Sequence, residues 1–93
     1  MVFEWDTAKA AANLLKHGVA FEDAVTVFRD PLHRSRQDRY EDGQERWQTF
    51  GFALDLVLIM VAHTFRDTDG EEVIRIISAR RATRQERRDC EQA

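Results

Sequence analysis

A run of β-branched residues ending in a cluster of arginines constrains this chain more than any other feature. Val73, Ile74, Ile76 and Ile77 favour a pleated, largely buried strand, with Arg75, Arg80 and Arg81 on it or at its end. Thr83 followed three residues later by Glu86 is a capping-box pattern, so a short helix begins just afterwards. The stretch from Val73 to Arg88 therefore spreads six arginines over a strand and a helix. A guanidinium stays charged in a protein, and one drawn toward a core needs an anion beside it. That anion is either an acid of the chain itself or a phosphate. For Arg84, Arg87 and Arg88, flanked by Glu86, Asp89 and Glu91, exposed ion pairs on a solvated helix face are the simpler reading. For Arg75 and Arg80 both anions stay open.

Ninety-three residues make a single domain, 1–93, with no room for a second. A hydrophobic fraction of 43%, nine aromatic residues and one proline indicate a packed globule rather than a disordered chain. Cys90 is the only cysteine, which excludes an internal disulfide and a cysteine-built metal site and suits a reducing compartment. The longest apolar run, Leu56 to Ala62, is too short to span a bilayer, and the N-terminus has no basic segment followed by an apolar signal region. These features predict a soluble cytoplasmic protein with no membrane contact. The net charge is −3, yet twelve of the fourteen basic residues are arginine, six of them after residue 74. Arginine binds phosphate and carboxylate through a two-pronged fork, so this local enrichment outweighs the sign of the whole.

Val2 to Trp5 suits an opening strand, and Asp6 stands at the N-cap of an alanine-rich helix that Gly18 ends. Ala8, Ala11, Ala12 and Leu15 recur at helical spacing and predict the buried face, with Lys9, Asn13 and Lys16 opposite. His17, in the last turn, is placed to cap loose carbonyls. Phe21, Ala24, Val25 and Phe28 form the stripe of a second helix stopped at Asp30-Pro31. Leu32 to Gln44 is polar and reads as a loop whose arginines at 34, 36 and 39 are solvated. Glu45 to Ala53 and Leu54 to Phe65 read as strands, with Asp55 close to the turn between them. An Asp-Gly signal at Asp69-Gly70 then returns the chain into the arginine strand, giving an antiparallel meander over residues 45 to 79. The order predicts an α+β domain: a small antiparallel sheet, two N-terminal helices on one face and a short C-terminal helix.

Phe3-Glu4-Trp5-Asp6, Lys9, Asn13, Lys16-His17-Gly18-Val19, Phe21, Ala24, Glu45-Arg46, Gly51, His63-Thr64 and the block from Arg75 to Ala82 resemble the BrnT toxins, a branch of the RelE-like superfamily. The resemblance covers nearly the whole chain in order. It implies a RelE-like fold, ribonuclease activity that inhibits translation and growth, and a cognate BrnA antitoxin. That antitoxin is a DNA-binding protein that neutralises the toxin in a hetero-oligomer and, with it, represses their shared promoter, so that DNA is touched only through the antitoxin. The family usually carries a tyrosine in the last helix where this chain has Cys90.

Cleavage of RNA without metal needs a base for the 2′-hydroxyl proton, cations around the crowded phosphate and an acid for the leaving oxygen. His63 and Glu45 are candidate proton-transfer groups, and Arg46, Arg75 and Arg80 candidate phosphate clamps. Lys9, His17 and Arg81 are candidate RNA contacts. There is no cluster with metal-ligand spacing and no glycine-rich phosphate loop, so neither a metal nor another cofactor is expected. Strand parity sets Arg75 and Arg80 on opposite faces unless the strand bends or bulges near Ala79. A non-catalytic module whose arginine face holds an acidic protein partner would use the same residues.

Overall fold

The computed structural model describes residues 1–53 and 56–92. The chain runs through β1 (Val2–Glu4), α1 (Thr7–His17), α2 (Phe21–Val25) continued by a 3₁₀ turn (Thr26–Arg29), and β2 (Arg34–Glu41). It continues through β3 (Gln44–Phe52), β4 (Leu58–Thr68), β5 (Glu71–Arg81) and α3 (Arg84–Glu91). One five-stranded sheet has the order β1-β5-β4-β3-β2, with β1 parallel to β5 and the remaining pairs antiparallel. The expected α+β class is found, and the meander of three strands grows to five because β1 and β2 join its edges.

The Asp6 carboxylate caps α1 by accepting from the N–H groups of Ala8 and Lys9, and Gly18 ends the helix at φ 72°. The side that α1 buries is not the alanine face. Ala8, Ala11, Ala12 and Leu15 point to solvent, Leu15 with 91% exposure, while Asn13 is buried. β1 pairs with β5 only as far as Glu4 opposite Arg75, which leaves the outer edge of β5 open beyond that point. The Asn13 amide closes it: Nδ2 donates to the carbonyls of Ala79 and Val19 at 2.9 Å each, and Oδ1 accepts from Ala79 N–H at 3.1 Å. Three buried backbone groups depend on this one side chain. Leaving such groups unpaired costs about 1–3 kcal/mol each, against about 0.8 kcal/mol for burying a methyl group, so the amide rather than the alanines sets the helix orientation.

Phe21, Ala24 and Val27 are fully buried and pack with Ile59, Val61, Ile74, Ile76 and Ala79 of the sheet. Phe3 and Phe28 meet at 5.2 Å between ring centroids, and Trp5 and Phe21 at 5.9 Å, so β1 and the 3₁₀ turn close over the same sheet face. The turn lies so close to β3 that a Cβ on Gly51 would sit 2.9 Å from Val27 Cγ1. Only glycine permits that approach. The Asp30 carboxylate accepts from the N–H groups of Leu32 and Phe52, fastening the end of the turn to the end of β3.

The segment expected as a loop from Leu32 to Gln44 is instead mostly strand. All eight residues of β2 are exposed, so no apolar alternation marks it, and its order comes from the backbone ladder to β3. Asp42 and Gly43, at φ 53° and 75°, form the two-residue turn whose twist suits a hairpin. Asp69 and Gly70, at 53° and 81°, join β4 to β5 in the same way, as their sequence predicts. β4 starts at Leu58 rather than Leu54, and Asp55 lies outside the described residues. Asn13→Ala should lower stability by about 3 kcal/mol, roughly 12–24 °C in melting temperature for a domain of this size. Leu15→Ala should shift it by less than about 0.5 kcal/mol; equal losses in thermal melts of the two variants would refute the clasp.

Candidate functional site

The strand that organises the sequence contains one residue too many for a regular ladder. Ser78 faces Ala62 and Ile76 faces His63, so Ile77 is bulged out of register. Beyond the bulge, Arg75 stands opposite Thr64, Ser78 opposite Ala62 and Arg80 opposite Met60, three alternate positions of β4. Arg75, Ser78 and Arg80 therefore share one face, and Ile74, Ile76 and Ala79 share the other, in the core. The bulge required to bring the two arginines together is present.

Rows across the strands show how dense the charge on this face is. Arg34, Phe50, Met60 and Arg80 form one row, Arg36, Gln48, Ala62 and Ser78 the next, and Arg39, Arg46, Thr64, Arg75 and Glu4 a third. α3 lies over the first row. The Glu86 carboxylate receives the Arg80 fork at 2.8 and 3.1 Å, lies 3.7 Å from Arg36 and accepts from Thr83 N–H to complete the capping box. Its side chain is only 12% exposed, and the Arg80 hydrogen bonds hold its pKa at about 2. Arg36 also stacks 4.9 Å above the Phe50 ring and donates to Gln48. At the other end Glu4 pairs with Arg66 at 2.9 Å and Arg75 at 3.5 Å, and Arg39 pairs with Glu41 at 2.8 Å.

Arg46 differs. It faces Arg39 directly across β2 and β3, forms no ion pair among the described residues, and its Nε is buried without a hydrogen-bond partner. Like charges placed opposite each other and an orphaned buried donor are both unfavourable, and an anion on this face would relieve both.

Of the residues singled out by sequence, Arg46, Arg75 and Arg80 come together here, and the other candidates do not. His63 is 3% exposed on the opposite face, edge-on to Phe28 at 5.2 Å. Its Nδ1–H donates to the Thr64 carbonyl, which leaves Nε2 to accept from the Thr49 hydroxyl at 2.7 Å; Thr49 in turn accepts from Ser35 at 2.7 Å. Glu45, in strand alternation with Trp47, is also on that opposite side and exposed. Arg81 shares its row with buried Ile59 and so projects away from Arg80. Lys9 and His17 belong to α1, which packs through Ala10 on the core side. Arg39, expected from the sequence as solvated, and Gln48 and Ser78, given no role there, join this face through strand pairing, which no residue type signals. Among the described residues no three His, Cys, Asp or Glu side chains are grouped to hold a metal ion.

Burial lowers the pKa of His63 below its ordinary 6.5, so the folded state binds its proton less readily than the unfolded state does. Stability should be constant above that value and fall as pH drops through it. Glu86 should add a second loss below 4.5, toward its folded value of about 2. Thermal melts across this range on the wild type and His63→Gln should show the first loss in the wild type alone; an identical profile in both would refute the assignment.

A family model described as "Ribonuclease toxin, BrnT, of type II toxin-antitoxin system" matches residues 5–86, from Trp5 just after β1 to the Glu86 that anchors α3. Among curated proteins none matches the chain. Matched over most of its length, from Trp5 through β2 to β5, the chain belongs to the BrnT family of ribonuclease toxins of type II toxin–antitoxin systems.

Proposed function

We propose that the whole chain, 1–93, is one RelE-like domain that cleaves RNA on the arginine face, without metal, in the cytoplasm, and so inhibits translation and growth. A BrnA-type DNA-binding antitoxin neutralises it in a hetero-oligomer and represses the shared promoter with it. The observation that carries this reading is Arg46: a guanidinium with a buried, unpartnered Nε, opposed by Arg39 and one strand removed from Arg75.

A phosphate seated over Thr64 would meet Arg46 on one side and Arg75 on the other, and both forks would face the oxygens that gain charge as the 2′-hydroxyl attacks. Ser78 and Gln48, in the neighbouring row, offer neutral hydrogen bonds to a ribose or a second phosphate. Arg80 is already held by Glu86 and is 31% exposed, so it contributes a fixed charge at the edge of the site and keeps α3 in place. In this reading water takes the 2′-hydroxyl proton and another water returns one to the leaving 5′-oxygen, so the catalytic power of such a face is chiefly electrostatic and positional. His63 and Glu45, on the other face, serve the core and the surface rather than proton transfer to this phosphate.

Arg46→Ala should lower RNA cleavage at least about tenfold, equivalent to roughly 1.4 kcal/mol of transition-state stabilisation, and leave stability unchanged or slightly raised because an unpaired donor disappears. Arg80→Ala should do the reverse, lowering the melting temperature as Glu86 loses its partner. Gel-based cleavage assays and melts on both variants test this pair; a destabilised Arg46→Ala with full activity would sink the reading. Cleavage by the wild type should persist in EDTA, and activity lost in chelator and restored by Mg²⁺ would overturn the metal-free mechanism.

A further inference from the structure

The opposite end of the other sheet face has the reverse character. Beyond the cover of the 3₁₀ turn, Trp47 is half-buried and Phe65 and Tyr40 are exposed, and a cavity of about 270 Å³ opens between Ser35, Trp47, His63 and Phe65. Its floor is the hydrogen-bonded chain from Ser35 through Thr49 to His63. Its rim is anionic: Glu45 follows Tyr40 in register, and Asp67 and Glu72 stand directly opposite each other one row beyond Phe65. All three carboxylates are exposed and none has an ion-pair partner among the described residues, whereas five arginines of the arginine face are already paired within the chain. Two carboxylates facing each other across a ladder are unfavourable unless a cation sits on them.

We propose that this aromatic and carboxylate-rimmed patch is the docking surface for the antitoxin, taking a segment that presents a lysine or arginine beside an apolar side chain. The inference rests on the toxin–antitoxin reading of the chain. The apolar side chain fills the cavity over His63 and Ser35, and the cation lies between Asp67 and Glu72 with its stem along Phe65 and Trp47. RNA is the wrong occupant, because its phosphates would meet three unpaired carboxylates. A second copy of the chain is a poor one, since five of the seven arginines on its arginine face are already paired with its own acids and a contact between two unlike faces is not the self-complementary contact of a two-fold dimer. On this surface the antitoxin anchors without competing for the guanidinium groups, so holding the toxin and blocking RNA are separable.

The test uses the full chain, its cognate antitoxin and the double variant Asp67→Lys/Glu72→Lys, whose positions are exposed and outside the arginine face. Calorimetric titration should show antitoxin affinity at least tenfold weaker for the variant, with a wild-type affinity that falls as salt rises. RNA cleavage by the variant alone and its melting temperature should match the wild type. Equal affinity in variant and wild type overturns the proposal, as does a loss found only on Arg75→Glu. Concentration-dependent association of the wild type alone, abolished in the variant while antitoxin affinity is kept, assigns the patch to a second copy and also overturns it. If wild type and antitoxin do not associate at all, the toxin–antitoxin reading itself has failed.

Discussion

That Arg75 and Arg80 share the arginine face depends on one surplus residue in β5, and the strand just after it is held by a single amide. Ile77 drops out of register, and without it Arg75 and Arg80, five positions apart, would point to opposite sides of the sheet. Two positions later, Asn13 clasps both backbone groups of Ala79. The bulge changes which face the side chains take, and the clasp satisfies the backbone of the strand just beyond it. A helix that packed on its alanines alone would have no such grip on β5.

Strand alternation, with that shift in β5, divides the sheet by chemistry. On one side lie the arginine rows with Glu4 and Glu86 as their internal counter-ions; on the other lie the core, the buried histidine and, past the edge of the helices, an aromatic patch with carboxylates around it. A net charge of −3 hides this segregation completely. One thin sheet thus carries surfaces of opposite sign on its two sides. Glu86 links fold to site, since one carboxylate caps α3, holds the Arg80 fork and seats the helix over the first arginine row.

Several features were legible in the chain because they are local. The capping residues Asp6 and Thr83, the stop at Gly18, the Asp69-Gly70 turn and the β-branched strand each rest on short-range sterics and hydrogen bonds, and all were found where their residues predict. The family, too, follows from residues in order along the sequence, and the match over 5–86 bears it out. Arg46, Arg75 and Arg80 were expected as phosphate clamps by residue type, and strand pairing places them on one face.

Tertiary structure decided the rest, and for identifiable reasons. β2 is a strand because β3 offers it a ladder, a cause invisible in eight exposed polar residues. α1 buries Asn13 and exposes Leu15 because an open strand edge elsewhere in the chain needs an amide, and no helical periodicity encodes a vacancy sixty-six residues away. His63 and Glu45 passed for partners of the arginines until strand pairing set them on the other face. Sequence determined which groups the protein owns and where its elements start and stop; only the pairing of distant strands, with one residue out of step, determined which of those groups meet.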